Sequence, residues 1–320
     1  MIRVAVAAPN ALKGVLSARA GAEALARGFE QAGVRCERVP VADGGDGTAE
    51  ALAATLGGEW HQARVSDPLS RPVDAQFLTI PDERAVVEAA EAIGLWRLEP
   101  EERDPLRASS RGLGELLRAA TDAGATGLLV GVGGVATVDG GAGMREVVAE
   151  LPVPTTVACD VSNPLLGERG AARVFGPQKG ASPEDVEELE RRLAAMEELA
   201  PYADLPGAGA AGGLGAALAA LGARLVPGGE LVLETIGFRK RIRGAALVVT
   251  GEGEVDRTTA EGKAPGAVAR ACAEEGVRCV VFGGRVVEPL AGVETRPLSG
   301  DPAGAEDDLV ALGEELGRSL

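Results

Sequence analysis

Hydrophobic and polar positions form two kinds of pattern at both ends of the chain. Short apolar runs predict buried strands, and stretches with an apolar residue every three or four positions predict amphipathic helices. The predicted elements of the first part are a strand over 2–8, a helix over 17–31 with Ser17 as its N-cap, a strand over 34–41 and a helix over 49–56. Those of the last part are strands over 245–250, 277–282 and 293–297, and helices over 263–275 and 305–316. Such a β-α alternation is typical of a parallel sheet.

The middle of the chain has a different pattern, which begins with strands bounded by proline. Its predicted elements are strands over 73–80, 85–89, 126–130 and 155–159, and helices over 109–123, 184–199 and 216–221. We therefore predict an α/β protein of two domains. Residues 1–66 and 243–320 would form a flavodoxin- or Rossmann-like parallel-sheet domain, and residues 67–242 an inserted mixed α/β domain. We expect the ligand to bind in the cleft between the two domains.

One stretch, Leu247–Pro265 (LVVTGEGEVDRTTAEGKAP), predicts a strand that breaks at Gly251-Glu252-Gly253 and restarts as a helix near Lys263. At such a turn, backbone N–H groups and the positive end of a helix dipole converge on small anions. Similar turns are predicted at Val39–Thr48, Leu128–Gly143 and Thr156–Gly180. We expect these turns to form one composite phosphate site. The backbone N–H groups expected to contact the anion are those of Gly133, Gly134, Gly251 and Gly253.

Composition narrows the choice of ligand. The net charge of −16 disfavours nucleic acid and anionic membranes, and 2% aromatic residues leave few surfaces on which bases could stack. No apolar run approaches the roughly 18 residues of a membrane span, and no cleavable signal precedes the first strand. Four cysteines without a CxxC pair are typical of free thiols in a reducing compartment. We therefore expect a cytoplasmic protein whose partners are small molecules, and we leave homo-oligomerisation open.

Lysine is rare in this chain and tends to lie beside glycine. It occurs only at Lys13, Lys179, Lys240 and Lys263, and all the other basic residues apart from one histidine are arginine. A lysine ammonium is a compact charge on a flexible stem that can reach a phosphate. We interpret Lys13, Lys179 and Lys263, each adjacent to a glycine, as phosphate ligands. The alternative is that they lie in exposed turns, and Lys240, within FRKRIR, indicates a solvated basic patch.

Carboxylates close to the glycine turns indicate metal or proton chemistry. Asp43 lies in DGGDGT with Asp46, and Asp160 is followed by Asn163. Together with Asp256, these residues offer the hard oxygen ligands that Mg²⁺ prefers. The DGGDGT carboxylates could instead accept a proton from a substrate hydroxyl. The alternative is structural, a capping side chain or an Asx-turn.

The run Gly131–Ala136 matches the G-x-G-x-x-A dinucleotide fingerprint, but no ribose-binding acid is found about 20 residues further on. We interpret this run as a phosphate cradle with Thr137 and Asp139 as polar partners. Two other functions stay open: an NAD(P)-dependent oxidoreductase acting on a small hydroxy acid, and a non-catalytic sensor of a phosphorylated metabolite. The single histidine, His61, provides neither a Ser-His-Asp triad nor a zinc site, so acid–base chemistry falls to carboxylates and lysines. Carboxylates beside an anion site favour catalysis over simple anion binding.

Eight collinear segments, which together run nearly from end to end, resemble the bacterial glycerate kinase type I family. They are VAAPNALKGVLSA, VPVADGGDGT, RDPLRASSRGLGELL, GVGGVATVDGGAGM, ACDVSNPLLG, GAARVFGPQKGA, PGAGAAGGLGAALAALGARLVPG and VVTGEGEVDRTTAEGKAP. The resemblance implies a two-domain α/β enzyme that uses ATP and Mg²⁺ to phosphorylate D-glycerate, usually on the 2-hydroxyl to give 2-phosphoglycerate.

This activity suggests roles for the residues named above. Mg²⁺ would be held by some of Asp43, Asp160 and Asp256, and Asp43 or Asp256 would accept the proton of the attacking hydroxyl. The phosphates and the glycerate carboxylate would be neutralised by the glycine N–H groups together with Lys13, Lys179 and Lys263.

The chain departs from the family at three places. Asn10-Ala11-Leu12-Lys13 replaces a usual Asp-Ser-Phe/Tyr-Lys, and Val135 and Val138 replace polar residues of a usual Gly-Gly-Ser-Ala-Thr-Asn-Asp-Gly-Gly. A segment that most relatives contain between Met144 and Ala158 is also absent. The first two changes fall on expected contacts with the substrate hydroxyls, so a related hydroxy acid is an alternative acceptor.

Overall fold

The computed structural model describes residues 4–320, apart from the side chain of Glu261. Residues 2 and 3 of the first predicted strand therefore lie outside the described part. The chain forms two compact units. The first, here the parallel-sheet unit, comprises residues 4–43, 50–57 and 228–320, and the second, the mixed-sheet unit, comprises residues 44–49 and 58–227.

The predicted strands and helices occur in the predicted order, with ends that differ by a few residues. The strands Glu59–Ser66 and Arg224–Val226 and several short helices were not predicted. The strands are β1 (Val4–Ala7), β2 (Arg35–Arg38), β3 (Glu59–Ser66), β4 (Pro72–Thr79), β5 (Arg84–Glu88), β6 (Gly127–Gly131), β7 (Thr155–Ala158), β8 (Arg224–Val226), β9 (Leu247–Val255), β10 (Cys279–Val286) and β11 (Glu294–Pro297). The helices are α1 (Ala18–Gln31), α2 (Thr48–Leu56), α3 (Ala89–Ile93), α4 (Arg111–Asp122), α5 (Ala142–Val147), α6 (Ala171–Phe175), α7 (Pro183–Ala194), α8 (Leu214–Ala220), α9 (Gly228–Thr235), α10 (Phe238–Ile242), α11 (Arg257–Glu261), α12 (Ala264–Glu275) and α13 (Ala305–Arg318).

The parallel-sheet unit contains a five-stranded sheet in the order β11-β10-β9-β1-β2, and every pairing in it is parallel. Its strands come from both ends of the chain, which confirms the predicted fold class. Helix α1 begins as predicted, because the Ser17 side chain accepts a hydrogen bond from the Ala20 N–H. Helices α1 and α13 pack closely: a Cβ at Gly28 would lie 2.0 Å from the Val310 carbonyl oxygen. Glycine is therefore required at this crossing.

The mixed-sheet unit contains a six-stranded sheet in the order β3-β4-β5-β6-β7-β8. Strands β3, β4 and β5 pair antiparallel, and β5 to β8 pair parallel. Helices α4 and α8 bury aliphatic side chains in the core of this unit, among them Leu113, Leu116 and Leu218. Val135 and Val138 are 3% and 1% exposed in the same core. These two departures from the family pattern therefore face the core, where an apolar side chain packs well.

The predicted break of the strand at Gly251-Glu252-Gly253 is wrong. Strand β9 continues through these residues to Val255 and pairs with β10 along this whole length. A Cβ at Gly251 would lie 2.2 Å from the Phe282 carbonyl oxygen and 2.5 Å from the Phe282 ring. Gly251 therefore allows a close approach between two strands, and the turn before the next helix comes later, at Asp256.

Candidate functional site

Several polar side chains converge at the carboxyl ends of the strands in the parallel-sheet unit. We call this group the carboxylate–lysine cluster and define it as Asn10, Asp43, Glu252, Asp256 and Lys263. Its central contacts are made by Lys263, whose Nζ lies 3.4 Å from Glu252 Oε1 and 3.8 Å from Asp256 Oδ1. The side chain of Lys263 is 29% exposed, so its ammonium can be reached from solvent. Ligands of open α/β sheets bind at this edge.

Asp43 lies at the N-terminus of helix α12. Its Oδ1 accepts a hydrogen bond from the Ala264 backbone N–H, and its Oδ2 accepts one of 2.7 Å from the Asn10 side-chain amide. The positive end of the helix dipole favours a negative charge here. The predicted anion site at this helix is thus occupied by a carboxylate of the protein itself, and Asn10 orients that carboxylate.

Glu252 is a member of the cluster that the sequence interpretation missed. It is 6% exposed, and its Oε1 accepts a hydrogen bond of 2.7 Å from the Thr259 hydroxyl. Burial raises the pKa of Glu252, with a contribution from the charge of Asp43, whereas Thr259 and Lys263 oppose the rise. The supposed turn hid this residue, because a strand that continues through Gly251 and Gly253 would have placed Glu252 among the inward-facing positions.

Asp256 is first of all the N-cap of α11. Its Oδ1 accepts hydrogen bonds from the Thr258 N–H and hydroxyl and from the Thr259 N–H, at 2.8, 2.6 and 3.2 Å. The Thr258 hydroxyl holds the pKa of Asp256 below its usual range, and Lys263 adds to this effect. The capping alternative is therefore real at this residue. It does not remove Asp256 from the cluster, because the same carboxylate faces Lys263.

Lys13 lies close to β9. It is exposed in the turn that links Leu12 to Leu16, and its backbone nitrogen is 3.8 Å from where a Cβ of Gly253 would lie. This distance is an ordinary van der Waals contact, so the Lys13 turn packs against β9 without requiring glycine at 253. The Lys13 side chain is accessible to a ligand, and its role in phosphate binding stays a prediction.

Two of the predicted glycine turns pack against each other within the mixed-sheet unit. We call them the paired glycine loops and define them as residues 44–47 and 131–134. A Cβ at Gly131 would lie 2.4 Å from the Gly44 carbonyl oxygen, and one at Gly133 would lie 3.1 Å from Gly45 Cα. A Cβ at Gly134 would lie 2.9 Å from the Asp46 carboxylate. Glycine at these positions allows the close packing, and because Gly133 and Gly134 are also exposed, a ligand can reach their backbone.

Thr137, Asp139 and Lys179 come together, but in the interior of the unit. Lys179 is 4% exposed, and its Nζ donates a hydrogen bond of 2.8 Å to the Thr137 carbonyl oxygen. Burial lowers the pKa of Lys179 to about 7, and the nearby Asp139 charge opposes this shift. Asp139 accepts hydrogen bonds from the backbone N–H and hydroxyl of Ser110 and from the N–H of Gly143 at the start of α5. This arrangement indicates a structural role for the three residues, in contrast to the predicted contact with phosphate.

Asp160 lies in the mixed-sheet unit, two residues after the end of β7, and is exposed. Its role as a metal ligand stays a prediction. Among the described residues, no group of three or more His, Cys, Asp or Glu side chains is arranged to hold a metal ion. The described residues therefore do not form a complete set of metal ligands by themselves. Mg²⁺ needs only one or two protein carboxylates when substrate phosphates supply further ligands, and the carboxylates of the carboxylate–lysine cluster fit that mode.

The dinucleotide interpretation of Gly131–Ala136 lacks the helix that it requires. After β6 the chain makes a turn in which the Leu95 N–H donates to the Gly134 carbonyl oxygen at 2.8 Å, and the Ala136 N–H donates to the Ile93 carbonyl oxygen at 2.9 Å. Helix α5 begins only at Ala142. A pyrophosphate on a Rossmann turn needs the helix to open directly after the glycines, so this geometry does not support NAD(P) binding.

Comparison with known proteins identifies the family and agrees with the fold. A model of the glycerate kinase family matches residues 5–151 and 146–299. A glycerate kinase of Halalkalibacterium halodurans is 39% identical over 321 residues, which cover 87% of this chain and 84% of the relative. The glycerate 2-kinase of Escherichia coli K12 is 41% identical over 307 residues, which cover 82% of this chain and 80% of the relative.

A solved structure gives the same result at the level of the fold. The crystal structure of a Salmonella typhimurium LT2 protein assigned as glycerate kinase 2 superimposes with a TM-score of 0.89 at 33% identity, and the match covers 100% of this chain and 98% of the other. These likenesses define the class of the protein, which is an α/β kinase. The chain belongs to the glycerate kinase family. Within residues 4–320, no helix is long and apolar enough to cross a membrane.

Proposed function

We propose that this enzyme transfers the γ-phosphoryl group of ATP, as its Mg²⁺ complex, to the 2-hydroxyl of D-glycerate and forms 2-phosphoglycerate. The observation that carries the proposal is the carboxylate–lysine cluster in a member of the glycerate kinase family: a partly exposed Lys263 lies between Glu252 and Asp256, next to Asp43. The printed name of the E. coli relative, glycerate 2-kinase, supports the 2-position. The alternative is phosphorylation of a related hydroxy acid.

In this proposal Lys263, Lys13 and Mg²⁺ stabilise the negative charge that shifts among the oxygens during phosphoryl transfer. Lys263 would exchange its present carboxylate partners for a phosphate oxygen, and the exposed Lys13 would contact a second anionic group, either phosphate or the glycerate carboxylate. Bound Mg²⁺ would neutralise phosphate charge, and Asp256 is the carboxylate proposed to hold it. Asp256 suits this role because its lowered pKa keeps it ionised.

Asp43 is the proposed acceptor of the hydroxyl proton. Its two oxygens are oriented by the Ala264 N–H and by the Asn10 amide, and each oxygen retains a lone pair for a further partner. Asp256 is the weaker candidate, because three hydrogen bonds to one oxygen and a lowered pKa make it a poor base. The exposed backbone of Gly133 and Gly134 is proposed to bind phosphates of the nucleotide.

The proposal is tested by ³¹P NMR of the purified protein with ATP, Mg²⁺ and D-glycerate. We expect ADP and a new phosphate ester whose phosphorus signal is split by one proton, as in the 2-phosphate. Splitting by two protons would assign the 3-position instead. ADP without an ester would mean that the true acceptor is a different compound, and no turnover with any hydroxy acid would contradict the proposed function.

A further inference from the structure

One buried carboxylate, Glu88, lies beneath the paired glycine loops. It ends strand β5 and is 9% exposed. Its Oε1 accepts a hydrogen bond of 2.6 Å from the Ala49 N–H, and its Oε2 accepts one of 3.3 Å from the Gly47 N–H. Glu88 therefore holds the end of the first loop through Gly47 and the first turn of helix α2 through Ala49.

The same side chain also lies beside the second loop. In the parallel pairing of β5 and β6, Glu88 lies opposite Gly131. A Cβ at Gly131 would lie 3.8 Å from Glu88 Cγ and 2.4 Å from the Gly44 carbonyl oxygen. The Glu88 side chain therefore lies next to the place where the two loops pack against each other.

Burial of the Glu88 carboxylate disfavours its ionised form. Burial, with smaller contributions from the charges of Asp46 and Glu91, raises the pKa of Glu88 to about 7, and the N–H groups of Ala49 and Gly47 oppose the shift. No Lys or Arg within the described residues forms an ion pair with it. A buried and unpaired carboxylate with a shifted pKa is more typical of a working site than of a structural core.

We propose that Glu88 is a positioning residue, which holds residues 44–49 against residues 131–134 in the arrangement that binds the phosphates of the nucleotide. This inference rests on the proposed function, because it assigns the exposed Gly133 and Gly134 to phosphate. The ionised carboxylate accepts from two N–H groups at once. The protonated acid would turn an O–H toward one of them, and binding would weaken as the pH falls through about 7.

The test compares wild type with Glu88→Gln, in which one acceptor oxygen becomes an NH₂ donor facing a backbone N–H. At pH 8.5 we expect KM for ATP to rise about tenfold, while KM for glycerate changes less than about twofold. In wild type, kcat/KM for ATP should fall with an acid limb near pH 7, and this limb should be absent in Glu88→Gln. Circular dichroism and the melting temperature establish that the variant folds.

Glu91→Gln is the matched control. Glu91 lies in α3 and accepts the Gln76 N–H at 3.3 Å, a bond that an amide oxygen can keep. Since the Glu91 charge raises the pKa of Glu88, its removal should move the acid limb to lower pH and leave KM at pH 8.5 unchanged. If Glu88 only supported the fold, removal of the Glu91 charge would not shift the acid limb of kcat/KM for ATP.

NMR separates failure of this inference from failure of the proposed function. In wild type with carboxyl-¹³C glutamate, one resonance absent from Glu88→Gln should titrate near pH 7, and the amide signals of Gly47 and Ala49 should follow it. If glycerate is not phosphorylated but this titration appears, the proposed function is wrong, whereas the attachment of Gly47 and Ala49 to the Glu88 carboxylate is confirmed. If the kinase is active and Glu88→Gln keeps the wild-type KM for ATP and the acid limb, the positioning role is wrong.

Discussion

The two units each contain a lysine close to an aspartate, and they hold that lysine in opposite ways. In the carboxylate–lysine cluster, Lys263 is 29% exposed and faces the carboxylates of Glu252 and Asp256. In the mixed-sheet unit, Lys179 is 4% exposed and donates to the Thr137 carbonyl oxygen. The first ammonium can exchange its partners for an incoming anion, whereas the second is enclosed by protein.

This difference shows that solvent exposure decides whether a charged side chain can bind an incoming ligand or is held in place within the core. A partly exposed lysine keeps part of its hydration and a flexible stem, so moving its charge onto a phosphate costs little. A buried lysine has lost its hydration, which lowers the pKa of Lys179 to about 7 and ties its ammonium to one carbonyl. We therefore expect substitutions in the first site to affect turnover and those in the second to affect stability.

The largest effect is expected for Lys263→Met. Loss of the cation leaves Glu252 and Asp256 without their partner and removes charge neutralisation during transfer, so kcat/KM should fall about 100- to 1,000-fold. The measurement is ADP release with D-glycerate as acceptor. Lys240→Met, at an exposed position outside the cluster, is the control and should retain activity within about twofold. If Lys263→Met and Lys240→Met lost activity equally, the proposed role of Lys263 in the carboxylate–lysine cluster would be wrong.

Asp43→Asn and Asp256→Asn sharpen the roles within the cluster. As the proton acceptor, Asp43 should affect kcat: its replacement is expected to lower kcat about 100-fold at every Mg²⁺ concentration.

As a Mg²⁺ ligand, Asp256 should affect the binding of the metal: its replacement is expected to raise the half-activating Mg²⁺ concentration about tenfold. Mg²⁺ titrations of initial rate measure both. A wild-type kcat and Mg²⁺ dependence in Asp256→Asn would remove this residue from the mechanism.

Two buried threonines test the same contrast by stability. The Thr259 hydroxyl donates to Glu252 and accepts from the Asp256 N–H, whereas Thr137 Oγ1 is buried without a hydrogen-bond partner among the described residues. We expect Thr259→Val to lower the free energy of unfolding by about 2 kcal/mol, because a bond to a charged group is lost. Thr137→Val should change it by less than about 0.5 kcal/mol. Urea denaturation followed by circular dichroism measures both values.

The smallest effect is expected for Lys179→Met and depends on pH. The folded pKa of about 7 lies below the ordinary value of 10.5, so between these values the unfolded chain binds a proton that the folded chain does not. Stability that depends on Lys179 should therefore rise with pH over this window. From pH 7 to pH 8, wild type should gain about 1 kcal/mol relative to Lys179→Met. A pH-independent difference together with a large rise in KM for ATP would instead indicate a direct contact with phosphate.

The candidate site was predicted from the sequence in part. Lys263, Asp256 and Asp43 were identified from glycine, lysine and aspartate patterns, and the structure brings them together. Glu252 and Glu88 were missed because single glutamates in apolar strands have no pattern of their own. They stand out only when the fold buries them beside backbone N–H groups or a lysine. Lys179 was assigned to phosphate because an isolated residue does not reveal whether its side chain points into a core.

The sequence by itself determined most of the strands, the parallel sheet built from both chain ends, and the family, since these depend on local periodicity and on long collinear motifs. Tertiary structure alone decided which glycines serve close packing, as at Gly251, and which leave backbone exposed, as at Gly133. It also decided that the N-terminus of α12 binds Asp43 and that of α2 binds Glu88. The physical reason is that burial and hydrogen-bond partners come from segments far apart in the chain, and these two factors set the charge and reach of each side chain.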